Sequence, residues 1–474
     1  MEAHSIQELE AQLQGILDLQ GRPARVADAS ALRSRGAEAL ARAAALSPDE
    51  PTRNRARALA LQAAAAAGIY PASIQELYAA RGRGQVRPFT AAAMNLRCLT
   101  FDVAAACFRA ARKLEVGAFL FEIARSEMAY TFQRPAEYTA SLLCAALKEG
   151  WQGPVFIQGD HFQANSKKYA ANPDAEIQEV KKLATEAIAA GFYNIDVDTS
   201  TLVDLSQPTV PEQQRVNGER CAEITAHVRA MEPPGTTISV GGEIGEVGGH
   251  NSNETELRAF MGEYRTALRR YGQLAGISKI SIQTGTSHGG VPLPDGSVAQ
   301  VKLDFDTLGR LSRLAREEFG LGGAVQHGAS TLPAEVFNRF PELETVEIHL
   351  ATEFQNMVYD HPAFPAALRA EMYQWLRQNA ADERKAGDTD EQFYYKSRKK
   401  ALGPFKGPMW NLPPATREAI AAALQAKFEY LFGKLALPGT APLVARHVTR
   451  PQAEPRAQAA LAQAGRAEES LEGE

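Results

Sequence analysis

Cysteine is scarce in this 474-residue chain: Cys98, Cys107, Cys144 and Cys221 are scattered and no two make a CxxC pair. That predicts buried thiols in a reducing compartment, not a disulfide framework. An excess of positive charge is missing too, with 51 Lys and Arg against 56 Asp and Glu and a net charge of −5. This argues against a nucleic-acid partner recognised through bulk electrostatics. No apolar stretch is long enough to span a bilayer, so no membrane partner is expected. Residues 1–19 are polar and carry Glu2, Glu8 and Glu10, a pattern of neither signal nor transit peptide. A cytoplasmic location is the resulting expectation. No GxGxxG turn follows the first strand candidate, where a dinucleotide-binding sheet needs one. Histidine is also sparse, nine in all, so where the histidines fall is informative.

What is present is a soluble globular composition, 45% hydrophobic and 23% charged, in a chain long enough for a barrel-sized domain with extensions. Residues 1–70 are Ala-rich with helical spacing, broken at Ser47-Pro48-Asp49-Glu50-Pro51 between two helices. They carry no chemistry and are expected to pack as a helical appendage. Ser73 is placed to cap a short helix over 74–81. Strand-like segments then fall at 87–95, 118–124, 155–160, 193–198, 237–243, 278–284, 323–327 and 346–352. Amphipathic helices such as 101–113, 176–190, 254–271 and 305–318 lie between them. Regular alternation implies parallel strands with crossover helices, and this number of strands closes a (β/α)8 barrel. The predicted class is therefore α/β, with the barrel over 71–361, a C-terminal helical segment over 362–437 and a disordered tail over 438–474. In the segment, 393–402 is basic and aromatic and 415–433 reads as a helix, while the tail is rich in Pro, Ala and Gln.

Chemistry in such a barrel sits at the C-terminal strand ends. The third strand candidate closes in Gln158-Gly159-Asp160-His161-Phe162 and the fourth in Asp196-Val197-Asp198. The fifth leads into Glu243-Ile244-Gly245, the sixth into Gly285-Thr286-Ser287-His288-Gly289, and the seventh into His327-Gly328-Ala329-Ser330. The eighth carries His349 and Thr352. Four histidines thus converge on one face. Three imidazoles with a carboxylate in reach suit a catalytic zinc ion with one position left for substrate. Asp198 is a candidate partner holding a histidine tautomer, and Glu243 a candidate metal ligand or hydrogen-bond partner. Gly289, Gly328, Ser330 and Thr352 offer backbone and hydroxyl donors where this barrel commonly holds phosphate. The residues describe metal-assisted chemistry on a phosphorylated small molecule, with Asp160 moving a proton.

From about 73 to 359 this pattern resembles the class II, zinc-dependent ketose-bisphosphate aldolases, with a weaker echo in 393–432. Met94-Asn95 resembles the end of the family's first strand. Asp160-His161, Asp198-Thr199-Ser200, Glu243-Ile244-Gly245, Gly285-Thr286-Ser287-His288-Gly289, His327-Gly328-Ala329-Ser330 and His349-Leu350-Ala351-Thr352-Glu353 follow the family's motifs in order. The resemblance implies reversible aldol cleavage of a phosphorylated ketose similar to fructose 1,6-bisphosphate, in a homodimer or homotetramer. It implies zinc on His161, His288 and His327, and substrate contacts from Asn95, Gly289, Gly328, Ser330 and Thr352. Asp160 exchanges a proton at the cleaved bond. Alternation along a strand turns Asp160 away from its metal-binding neighbour, making it a proton carrier and not a ligand.

The departures cluster on the substrate side. Ala124 stands where family members often have a serine, His349 replaces an asparagine, and Glu254 is a loose match for a loop glutamate. His349 is expected to contact substrate and shift substrate preference. Three rivals remain: an aldolase-like non-catalytic subunit, a zinc barrel enzyme acting on a different phosphorylated sugar, and a zinc hydrolase. A Schiff-base aldolase needs a lysine near the strand tops, and Lys279 lies at the start of strand six.

Overall fold

In the computed structural model, which describes residues 3–21, 23–245, 250–285, 293 and 303–452, eight parallel strands close into a barrel. We number them β1 (Ala91–Asn95), β2 (Phe119–Ala124), β3 (Gly153–Gln163), β4 (Asn194–Asp198), β5 (Ser239–Glu243), β6 (Lys279–Ile282), β7 (Ala324–Gln326) and β8 (Glu347–Leu350). Each pairs in parallel with the next, β8 returns to β1, and β3 also pairs with β4. All eight fall within or across the predicted segments. Both strand faces are covered, by helices outside and by barrel side chains inside, so runs such as 119–124 are buried throughout.

One strand departs from expectation in a way that shapes the site. β3 does not end at Asp160-His161 but runs on to Gln163. Its register against β4 shifts between Gly159 and Phe162, so Asp160 and His161 together lie opposite Asp196 alone. This is a β-bulge, and His161 takes the left-handed φ of 39° that such an insertion can require. Gly159 makes the bend possible: a Cβ there would lie 2.4 Å from the Phe162 ring, which folds back over it.

The N-terminal helices Ala37–Leu46 and Glu50–Ala66 flank the predicted break, and the Asp49 side chain caps the second by accepting from the Thr52 N–H. Their buried alanines permit close packing on the helix Pro135–Glu149. The chain then enters the barrel base as a short strand, Ile69–Ala72, paired in parallel with the start of β3. The Asn194 amide donates to the carbonyls of Ala72 and Ile157 and accepts the Ile74 N–H, tying strand, β3 and β4 together. The helix predicted over 74–81 spans Gln75–Gly82, and the Ser73 hydroxyl accepts from the Gln75 N–H at 3.2 Å.

The C-terminal helix Pro414–Lys434 lies on Thr100–Lys113, where Arg417 pairs with Asp102 at 2.9 Å and Lys113 with Glu429 at 2.7 Å. The composition of residues 438–474 predicts disorder from 438 onward, and this is corrected for its first part. Ala441–His447 form a helix with Val444 buried. Thr440 Oγ1 accepts the N–H groups of Gly117 and Ala118, and Gly117 has no Cβ to obstruct Ala441. Composition alone does not register an anchor of this kind.

Candidate active site at the mouth of the barrel

The bulge decides the site's geometry. It turns both Asp160 and His161 into the pocket at the C-terminal barrel end, where alternation predicts only one of them. The inference that Asp160 points away from its neighbour is thereby overturned, because a bulge breaks the period of two. Asp160 Oδ2 accepts from the Asn95 amide at 3.1 Å, and Oδ1 lies 3.1 Å from His349 Nδ1. Burial pushes Asp160 up, but the imidazoles of His161, His349 and His327 outweigh it and hold the carboxyl well below its ordinary range.

His161 is held by its Nδ1, 3.0 Å from Asp198 Oδ2 and 3.4 Å from Glu243 Oε2. Its Nε2 lies 3.8 Å from Asp160 Oδ1. Asp198 is fixed in turn by Ser200 and Gln163, whose amide donates at 2.6 Å. Burial lowers His161, yet Asp160 and Glu243 raise it further, so its pKa stands well above the ordinary value. Burial, then Asp198, pushes Glu243 up to about 7. The His327 ring lies 4.3 Å from that of His161 and 4.1 Å from that of His349, with Nε2 2.9 Å from the Ser281 hydroxyl.

These residues suit a metal. One donor atom each from Asp160, His161 and His327 lie within 4.8 Å of one another. A carboxylate on the second ring nitrogen, as Asp198 is on His161, is the usual support for a metal-bound imidazole. Glu243 sits with Asp198 on the Nδ1 side, and Asp160 faces Nε2. His288 and Gly289 lie outside the described residues.

Gly328, Ser330, Ala351 and Thr352 line the same pocket. Gly328 has a left-handed φ of 68° and Ser330 Oγ accepts the Ala351 N–H at 2.8 Å. Arg97, Arg125, Ser126, Glu127, Tyr130, Gln163 and Lys399 also line the pocket and are absent from the motif reading. Arg97 stands two residues past Asn95, so the strand-end rule extended by one turn of loop finds it. Lys399 belongs to the basic, aromatic stretch 393–402, whose composition is visible but whose place over the barrel is not. Burial and then Arg97 lower Lys399. Glu254 is not among the lining residues, and its carboxylate lies 3.4 Å from Arg310.

His349 lines the pocket but is rooted below it. Nδ1 faces Asp160 and, at 3.2 Å, Glu122; Nε2 faces Glu347 at 2.7 Å and Asp196 at 3.6 Å. With carboxylates on both nitrogens, burial is outweighed by Glu122 and Asp160 and the ring's pKa is well above ordinary. Beneath it Lys279 is buried, with Nζ 2.7 Å from Gln158 Oε1, 2.9 Å from Asp196 and ion-paired to Glu347. Burial lowers Lys279, but Asp196 and Glu347 prevail and raise it, and Lys279 is not among the residues that line the pocket.

The family profile described as fructose-bisphosphate aldolase class-II matches residues 86–406, more than half of the chain. The chain belongs to that family. It is an aldolase-type enzyme with the family's barrel. Among solved structures, the fructuronate-tagaturonate epimerase UxaE from Cohnella laeviribosi in complex with one glycerol is similar at a TM-score of 0.54 and 12% identity, over 81% of this chain and 86% of that one. A protein described as a probable tagatose 6 phosphate kinase from Sinorhizobium meliloti 1021 gives 0.52 and 16%, over 79% and 98%. The fructose-bisphosphate aldolase from Campylobacter jejuni gives 0.43 and 15%, over 77% and 93%. At these identities the structural likeness concerns the fold alone. No curated protein matches the chain in sequence.

Proposed function

We propose that this protein is a zinc-dependent aldolase that reversibly cleaves a phosphorylated ketose into a ketone phosphate and an aldehyde. The observation that carries this reading is the bulged Asp160-His161 pair, which sets a carboxylate beside two imidazoles in a pocket also lined by Gly328, Ser330 and Thr352. His161 and His327, with His288, are the proposed zinc ligands, and Glu243 is an alternative ligand on the far side of His161. A zinc ion bound there supplies Lewis acidity toward a ketone carbonyl. Asp198 fixes the His161 ring through Nδ1. Asp160, kept ionised and clamped between Asn95 and His349, takes or returns the proton of the hydroxyl at the cleaved bond. Gly328, Ser330 and Thr352, with Gly289, are the proposed phosphate cradle, and Lys399 adds positive charge. His349 is proposed to reach substrate at the pocket floor. A cytoplasmic homodimer or homotetramer is part of the same reading, with no nucleic-acid or membrane partner.

The test is an aldol-cleavage assay over ketose mono- and bisphosphates, with and without chelator, alongside metal analysis. Chelator-sensitive cleavage of one phosphorylated ketose, with near-stoichiometric zinc, is the expected result. A zinc-loaded protein inert to the whole panel would favour a non-catalytic subunit or a different zinc-barrel reaction, and full activity without metal would remove the zinc assignment.

A further inference from the structure

Arg97 has no part in the chemistry above, yet its guanidinium lines the pocket. We infer that Arg97 is a specificity-determining contact for a phosphate dianion of the substrate, an inference that rests on the phosphorylated-ketose reading. The guanidinium is fixed on two sides. Nε donates to Glu127 Oε1 at 2.6 Å, and Nη1 reaches Thr352 Oγ1 and Gln355 Oε1, both at 3.3 Å. Nη2 has no hydrogen-bond partner among the described residues, so a pre-oriented pair of N–H donors remains for a ligand.

These bonds also direct the neighbouring hydroxyls. Thr352 Oγ1 accepts from Arg97, so its own O–H points elsewhere. Ser330 Oγ accepts the Ala351 N–H and likewise keeps its hydrogen to give. Glu127 is the nearby carboxylate, and it is already engaged by Arg97, the Asn95 amide and the Ala124 N–H. The side chain of Ala124, in the same pocket, has no donor of its own. The donors left free here are the Arg97 Nη2 pair and the hydroxyl hydrogens of Thr352 and Ser330. A phosphate carries three terminal oxygens that accept and none that must donate at its dianionic charge, which is the complement. Lys399 makes no ion pair among the described residues and supplies the charge that the Arg97–Glu127 pair does not.

Calorimetric titration of the zinc-loaded protein with inorganic phosphate, and separately with acetate, tests this. Arg97→Lys retains a cation for Glu127 but loses the fork, and Arg97→Met removes both. Phosphate affinity should fall by about 10- to 100-fold in both variants, the range for a hydrogen bond to a charged group. KM for the cleaved ketose phosphate should rise by the same factor, with kcat, zinc content and melting temperature of Arg97→Lys near wild type. Unchanged phosphate affinity and KM in a folded Arg97→Lys would overturn the inference. An Arg97-dependent affinity for acetate but not phosphate would overturn the dianion assignment in favour of a carboxylate. Arg97-dependent phosphate binding in a protein that cleaves no ketose phosphate would support this inference and remove the aldolase reading.

Discussion

Two charged clusters share this barrel, one above the other. On the floor, Lys279, Glu347, Asp196, Glu122 and His349 are buried and set against one another within the protein. At the mouth, Asp160, His161, His327, Arg97 and Lys399 face a pocket. The difference teaches how to read a buried charge. A buried charge whose partners are all protein groups is satisfied within the fold, whereas imidazoles and cations grouped around open space are arranged for something that enters. His349 links the two: its ring lines the pocket, and both nitrogens are committed to carboxylates.

The comparison breaks most visibly at Asp160. Asp160→Asn should lower turnover by about 10²–10⁴, the usual cost of removing a general acid–base, while retaining zinc in metal analysis. Loss of zinc in proportion to activity would make Asp160 a ligand, as its place in the bulge permits.

On the floor, Lys279→Met leaves Asp196 and Glu347 buried and unpaired. Breaking a buried ion pair from one side costs about 3–5 kcal/mol, so denaturant unfolding should show a loss of that size. A stable Lys279→Met protein that lost only activity would move Lys279 from floor to mouth.

His349→Asn should keep its zinc and lose about 10- to 100-fold in kcat, one charge-assisted hydrogen bond to Asp160 being removed. A changed order of preference among ketoses would show that the ring also touches substrate. Unchanged kcat and preference would leave it a filler of space.

Gly159→Ala puts a methyl against the Phe162 ring and should cost about 1–3 kcal/mol by overpacking, with activity falling as the bulge straightens. Measured stability equal to wild type would mean that the bend does not depend on that glycine.

The smallest effect is on pH. In the metal-free protein Glu243 is raised from 4.5 to about 7 by burial and Asp198. A raised carboxyl binds its proton more tightly when folded, so its contribution is full below pH 4.5 and lost as pH rises through about 7. Glu243→Gln should flatten the melting-temperature profile over that window, and a profile unchanged by the substitution would mean that Glu243 does not titrate there.

Much of this was legible locally. Eight strand segments, the helices between them and the N-terminal break at Asp49 follow from apolar period, β-rich runs and cap residues, all carried by neighbours in sequence. The strand-end rule named Asp160, His161, His327, Ser330, His349 and Thr352, and the family resemblance added Asn95; all seven line one pocket. A single inserted residue decided what the pattern could not. The bulge at Asp160-His161 reverses the facing of one side chain, and nothing in a period-two reading signals it except Gly159 beside a large aromatic. The partners of His349 were equally out of reach. Glu122, Asp160, Asp196 and Glu347 come from four strands, and they meet only when barrel closure and register bring them to one level. Arg97 and Lys399 meet the same limit, some 300 residues apart in the chain and lining one pocket in the fold. Residue types along a strand fix its local form, but which side chains converge depends on how far each strand is shifted against the next, a quantity set by packing around the whole ring.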